Sequence, residues 1–179
     1  MDLSLVRLRP ASPDDAQTVF RWRNERFITD RSSSGRPVEW EEHRRWFEAS
    51  LAGAERRIWI VLAGDEEIGQ VRFDRSGPGS CVISVYLLEQ FTGLGYGREA
   101  IRIACQSIFR EWGVERVIAC VRDNNRPAQS AFVRCGFQET ADQRLCPGGH
   151  VVFVLRAAPG SGGPPVVEPR VPPPSEYQS

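Results

Sequence analysis

Residues Thr92 to Gly97 read TGLGYG, with glycines at alternate positions between a strand-like run, "SCVISVYLL", and good helix formers, "REAIRIACQSIFREW". Glycine weakens helices and strands alike because it loses the most backbone freedom on ordering. A glycine cluster at a strand-to-helix junction therefore marks backbone that must stay bare. Such a junction suits an anion: unpaired amides and the positive end of the helix dipole face the ligand, and missing Cβ atoms let a phosphate reach the main chain. The dinucleotide pattern G-x-G-x-x-G fails, since Arg98 stands where the third glycine belongs and several strand-like runs precede it. The Walker pattern fails because the chain contains no lysine. A turn that merely starts a helix is the plain alternative.

The flanking sequence supplies the rest of the order. "LVRLRP" alternates apolar and charged residues as a strand does, and Ser12, Pro13 and Asp15 open a helix expected to end near Asn24. "VEWEEHRRWFEASL" places Trp40, His43, Phe47 and Leu51 on one helical face. "RIWIVLAG", "EIGQVRFD" and "SCVISVYLL", separated by Gly64-Asp65 and "SGPGS", read as an antiparallel meander. "RVIACV" is a short buried strand, "RPAQSAFVRCG" a helix punctuated by Pro127 and Gly136, and "GFQETADQRL" with "HVVFVLR" a closing hairpin around "CPGG". The central strand–helix–strand unit requires a right-handed crossover, making Val82–Leu88 and Arg116–Val121 parallel neighbours. The expected fold class is α/β (α+β), with a mixed, mostly antiparallel sheet. Residues 1–156 form one domain, and the Pro/Gly-rich residues 157–179 are expected to be a disordered tail.

Composition narrows the partners. Acidic and basic residues balance at 23 each, which argues against nucleic acid. No apolar run reaches membrane-spanning length and the N-terminus lacks a signal-like core, so a cytoplasmic protein with no membrane partner is expected. Five cysteines, an odd number without a CxxC pair, are read as reduced thiols, and two distant histidines offer no metal site. A monomer or homodimer is expected.

The glycine segment resembles the acyl-CoA loop of the GCN5-related N-acetyltransferase (GNAT) family, Gln/Arg-x-x-Gly-x-Gly/Ala, in the register Thr92-Gly93-Leu94-Gly95-Tyr96-Gly97. Thr92 replaces the usual Arg or Gln; a second register, Gln90 to Gly95, matches literally but starts the helix early. "DNNRPAQSAFVRCGF" resembles the family's Asn-x-x-Ala-x-x-x-(Tyr/Phe)-x-x-x-Gly-Phe stretch, with Asn125, Ala128, Phe132, Gly136 and Phe137 in place. The strand order also agrees, across roughly residues 5 to 156. The resemblance implies the GNAT fold and acetyl-CoA as cosubstrate. Thr92 to Arg98 would hold its diphosphate, strands splaying beyond Val85 would receive the pantetheine, and Phe132 would belong to the same cofactor site. Val85, Tyr86 and Leu87 would bind it through the main chain, with the Leu87 amide as oxyanion donor. Asn125 would contact the pantetheine, cap the following helix, or do both.

Two positions depart from the family. Phe132 stands where many members carry a tyrosine acid, and Cys81 where many carry a glutamate base. A thiol pKa of about 8.5 makes CoA a fair leaving group, so losing the acid is tolerable. A lysine-like amine is neutral in roughly one molecule in 2,500 at pH 7, a cost of about 4–5 kcal/mol without a base. The departures therefore lean towards an acceptor of low basicity. "FRWRNERFITDRSS", "EEHRRWF" and "GQVRFD" resemble acetyltransferases of nucleotide-activated amino sugars. Base candidates are His43, otherwise a packed core histidine, and Asp74, otherwise a solvated strand end. Ser84 is a candidate to orient the acceptor. Arg23, Asn24 and Arg72 would bind a substrate diphosphate, surface ion pairing being their plain alternative. A protein N-terminus, an antibiotic amine, or a non-catalytic acyl-CoA-binding role are the competing readings.

Overall fold

A seven-stranded sheet in the order β1-β2-β3-β4-β5-β7-β6 is the middle layer of the computed structural model, which describes residues 6–32, 35–146 and 148–158. The strands are β1 (Val6–Pro10), β2 (Arg56–Ala63), β3 (Glu66–Arg75), β4 (Ser80–Leu87), β5 (Arg116–Arg122), β6 (Gln138–Thr140) and β7 (His150–Arg156). The helices are α1 (Ala16–Asn24), α2 (Arg26–Thr29), α3 (Trp40–Ala52), α4 (Tyr96–Trp112) and α5 (Arg126–Arg134). β4 and β5 pair in parallel and all other neighbours antiparallel, as expected. Two differences are local. A separate one-turn helix, α2, follows α1, and β6 has only three residues, leaving 141–149 as a long connection to β7. Most of the expected tail lies outside the described residues, although the Ala157 N–H still donates to the Glu115 carbonyl at 2.9 Å.

Period-two alternation splits the strands between two cores. Trp59, Val61, Val71, Phe73, Cys81, Ile83, Val117 and Ala119 face α4, whose buried stripe includes Ala100, Ile101, Ala104, Ile108 and Trp112. On the other face Ile58 and Ile60 meet Val19 and Trp22 of α1, Ile28 of α2 and Phe47 of α3. Phe47 and Ile60 are fully buried, and burying such side chains stabilises by roughly 2–3 kcal/mol each.

Asp15 ties β1 to the entry of α1. Its carboxylate accepts from Arg9 Nη1 and Nη2 at 2.9 and 2.8 Å, from the Ser12 amide at 2.6 Å and from the Ser12 hydroxyl at 3.1 Å. Burial pushes this carboxyl up, but the Arg9 and Ser12 contacts together outweigh it and hold it below its usual range. The expectation of five reduced thiols is corrected at Cys120 and Cys146, which form a disulfide with Cα atoms 5.8 Å apart, while Cys81, Cys105 and Cys135 are free. The cause is topological: β7 pairs with β5 and carries the 141–149 connection back beside β5, a proximity that cysteine spacing does not reveal.

Titration of thiols in denaturant without reductant is expected to find three, and Cys146→Ser should lower stability by about 3 kcal/mol, as for a closed loop of this size. Because the folded-state pKa of Asp15 is depressed, its contribution is present above the unfolded carboxyl value and is lost as pH falls through the folded one. Asp15→Asn should cost about 2 kcal/mol at neutral pH and flatten the acid limb of urea-unfolding stability.

Candidate functional site

β4 and β5 pair from Ser80–Arg116 to Ile83–Ala119 and then part, although β4 continues to Leu87 and β5 to Arg122. The gap thus opens just after Ile83, earlier than the expected opening beyond Val85. The Leu88 N–H donates to the Ile68 carbonyl at 2.9 Å, which sets the phase of the β3–β4 ladder. By antiparallel alternation, Tyr86 and Ser84 spend their main-chain groups on Gln70 and Arg72 of β3, whereas those of Val85 and Leu87 point into the gap. Of the three residues expected to offer main chain there, Val85 and Leu87 do so and Tyr86 does not. Gly69 permits this geometry through close approach: a Cβ on it would lie 2.3 Å from the Tyr86 carbonyl oxygen and 2.8 Å from the Leu87 Cα. The β2–β3 register also slips at this level, beside Ile68, a bulge that increases local twist.

The glycine segment borders the gap. Gly93 and Gly95 take left-handed φ values of 74° and 89°, a region that costs other residues about 1–2 kcal/mol. Gly95 is the N-cap of α4 and offers no side-chain cap; the first helical bond there runs from the Glu99 N–H to the Gly95 carbonyl. The amides of Tyr96, Gly97 and Arg98 therefore have no intrahelical acceptor. Nothing lies within 4 Å of where a Gly93 Cβ would be, and the Leu87 side chain lies 3.6 Å from the corresponding point on Gly97. The loop therefore abuts the Leu87 end of the gap. Leu94 and Arg98 are exposed there. The Thr92 hydroxyl instead donates back to the Glu89 carbonyl at 2.8 Å, closing the turn before the loop.

Across the gap, Asn125 caps α5, its Oδ1 accepting from the Ala128 N–H at 3.3 Å. Gln129, which sequence reading passed over, is buried and its amide donates to the carbonyls of Arg122 and Asp123, fixing the β5–α5 turn. The available signal was a polar residue four places after the cap. The Phe132 ring packs edge-to-face on Phe137 at 5.0 Å, within the α4-side core.

The opposite face of β3 and β4 carries the polar candidates. Arg72 sits opposite Ser84 in register and Gln70 opposite Tyr86, whose hydroxyl donates to Gln70 Oε1 at 3.3 Å. Ser84 is exposed. Asp74 is held by Arg56 Nε at 2.6 Å and Arg72 Nε at 2.8 Å, with both guanidiniums over the Trp46 ring. It is a paired carboxylate, not a solvated strand end. Burial pushes the Tyr86 phenol well above its ordinary value while Arg23 and Arg72 pull the other way. Burial and the neighbouring Arg72 lower Arg23, and Tyr86 opposes them.

His43 is a core residue. It is buried among Phe20, Trp40, Trp46 and Phe47, and its Nε2 lies 3.0 Å from the Ala16 carbonyl. Burial lowers its pKa, keeping the ring neutral with Nε2–H donating. Asn24 braces the chain: its Nδ2 donates to the Val38 carbonyl at 2.9 Å and its Oδ1 accepts from the Val38 N–H at 2.8 Å. Its amide is engaged there, not turned to a ligand. Cys81 is buried, and burial pushes its thiol up to about 12, so it stays protonated at neutral pH.

The α1–α2 segment bridges both sides of the gap. Arg23 acts on Tyr86 of β4, while the Asp30 carbonyl accepts from Arg122 of β5 at 3.3 Å. Beyond Arg122 lies an open cleft of about 430 Å³ lined by Arg122, Asp123, Asn124, Gly148, Gly149 and His150. The disulfide joins β5 to the connection that forms its far wall. The arrangement combines bare amides for an anion, free strand main chain for an extended amide-bearing ligand, and an arginine-rich face beside them.

The acetyltransferase (GNAT) domain profile matches residues 6–138. No curated protein sequence matches the chain. Solved structures share the fold at low identity. A domain from Methanocaldococcus jannaschii aligns with TM-score 0.75 and 18% identity over 85% of this chain and 98% of that one. A ribosomal L7/L12 alpha-N-protein acetyltransferase in complex with coenzyme A gives 0.73 and 15%, over 86% and 94%. An aminoglycoside acetyltransferase, AAC(6')-Ib, in complex with paromomycin and acetyl-CoA gives 0.73 and 19%, over 84% and 93%. Among the described residues, no helix is long and apolar enough to cross a membrane.

Gly69→Ala is expected to destabilise the protein by about 2–3 kcal/mol, because the clash is with main chain that cannot rotate away. Its destabilisation should exceed that of Gly64→Ala, where nothing lies within 4 Å of the added carbon. Chemical denaturation of the two variants makes the comparison.

Proposed function

We propose, from the premise that this chain belongs to the acetyltransferase (GNAT) domain family, that it transfers acetyl from acetyl-CoA to the amino group of a nucleotide-linked amino sugar. The carrier's diphosphate rests on the bare amides of Tyr96, Gly97 and Arg98 and on the glycine backbone before them. Its pantetheine lies in the gap, exchanging strand-like bonds with Val85 and Leu87. The Leu87 N–H donates to the thioester oxygen as negative charge develops there. The amine nitrogen attacks the carbonyl carbon, the adduct's surplus N–H proton passes to solvent, the C–S bond breaks, and CoA leaves as a thiolate that takes up a proton from solvent. Phe132 supplies no proton, and the low basicity of a thiolate makes one less necessary.

The observation that carries the acceptor is the face formed by Arg23, Arg72, Tyr86, Ser84 and Trp46 beside that gap. Guanidiniums suit a diphosphate, an aromatic ring suits a sugar face, and the β3 carboxylate on this face, Asp74, is bound by two arginines. An amine on a sugar ring, flanked by electron-withdrawing oxygens, is less basic than lysine. A protein N-terminus is the second reading, favoured by its similarly low basicity, about 8, and by the open cleft beside Arg122.

CoA release measured against UDP- and CMP-linked amino sugars, short peptides and aminoglycosides decides between them: turnover confined to peptides would overturn the sugar reading. Gly95→Glu should reduce CoA affinity at least a hundredfold by calorimetry with an unchanged far-ultraviolet spectrum, since it sets negative charge and a strained φ against the diphosphate. Retained affinity would remove the loop from the site.

A further inference from the structure

The 141–149 connection has few anchors apart from a covalent one. None of its described side chains belongs to either apolar core. Its own main-chain bonds reach back only two or three residues. The N–H groups of Gln143, Leu145 and Cys146 donate to the carbonyls of Ala141, Asp142 and Gln143 at 2.9, 3.3 and 3.4 Å. Asp142 pairs locally with Arg144. Towards β5 the Asp123 N–H donates to the Gly149 carbonyl at 3.3 Å, and the Cys120 sulfur lies 3.8 Å from the Leu145 carbonyl, both long contacts. A segment with so little buried apolar surface opens at low cost. The strong link is the Cys120–Cys146 disulfide. Its position matters. Val117, Ala119 and Val121 face α4, so Cys120 and Arg122 fall on the other face, that of Ser84 and Tyr86. Cys120 is also the first β5 residue beyond the last β4–β5 pair, Ile83–Ala119.

We propose that the Cys120–Cys146 disulfide is a redox latch that sets the shape of the cleft beside Arg122. Oxidised, it pins Gly148 and Gly149 as a wall opposite Arg122, Asp123 and Asn124. A small dithiol releases it. One of its thiolates attacks a cysteine sulfur, the protein S–S bond breaks and a mixed disulfide forms; its second thiolate then displaces that cysteine. The dithiol ends as a cyclic disulfide, and Cys120 and Cys146, having taken two electrons and two protons, end as thiols. Both cysteines are half-buried, which leaves a small thiol a path to them. The seven β5–β7 pairs, Arg116–Arg156 to Arg122–His150, lie outside the connection and keep the sheet whole after reduction. The wall alone loosens. The glycine loop stands at the start of α4, away from this wall, so the latch governs the acceptor and not the carrier. Its effect on turnover rests on the acetyl-transfer reading; the loosening of the wall does not.

Full-length protein is compared as purified without reductant and after dithiothreitol treatment and desalting. Hydrogen exchange is read at labelling times too short for the core amides of α4 to exchange in either form. The amides of 141–149 and of Asp123 are expected to exchange at least tenfold faster after reduction. KM for the best amine of the acceptor panel, followed as acetylated product, should rise about tenfold, with CoA affinity changed less than twofold. Cys146→Ser and Cys120→Ser should each match the reduced protein and no longer respond to dithiothreitol. Equal exchange in the two forms, or a dithiothreitol response that persists in both Ser variants, would overturn the latch. Faster exchange with an unchanged KM would overturn its control of the acceptor while leaving acetyl transfer intact. Absence of turnover with every amine would instead overturn the functional reading, and the exchange result would still decide whether the disulfide holds the wall.

Discussion

Parallel strands that separate leave main-chain donors and acceptors facing one another across a space too wide to bridge. Here β4 and β5 stay paired only as far as Ile83 and Ala119. Buried polar main chain that lacks a partner is costly, so the edges of this gap need water or an extended ligand of matching polarity. The surroundings keep the gap open. Gly69 lets β3 follow β4 closely, α4 begins at its mouth, and Asn125 with Gln129 anchors the turn where β5 leaves. The alternation along β4 then divides the work: Val85 and Leu87 present main chain to the gap, while Ser84 and Tyr86 present side chains to the face covered by α1 and α3.

Electrostatics differs between the two sides. Near the glycines, amides and a helix dipole fixed by backbone geometry add positive potential to that of the exposed Arg98. On the other side it comes from guanidiniums, the only long cationic side chains in this chain. These are always charged and cannot serve as proton acceptors.

Local chemistry made much of this legible. Ser12-Pro13-Asp15, Asn125-Arg126-Pro127 and the glycine pairs announce helix starts and turns because caps and left-handed residues are recognised over a few positions. The glycine loop was readable for the same reason, since bare backbone before a helix has few other uses. Asn24, Asp74 and His43 were left open because their partners Val38, Arg56 and Ala16 are distant in sequence. A polar residue on a predicted face looks the same whether it meets a ligand, a carbonyl or an arginine. The disulfide was missed because strand order, not cysteine spacing, brings Cys120 and Cys146 together.

By itself the amino-acid order determined the succession of strands and helices, the crossover between β4 and β5, and the glycine loop that opens α4. All three follow from periodicity and backbone sterics acting within short windows. Only the tertiary structure decided where the parallel pair parts, which main-chain groups face the opening, and which charged side chains neutralise one another beneath α3. Those outcomes depend on ladder phase and on contacts between distant elements, and neither is encoded in any one segment.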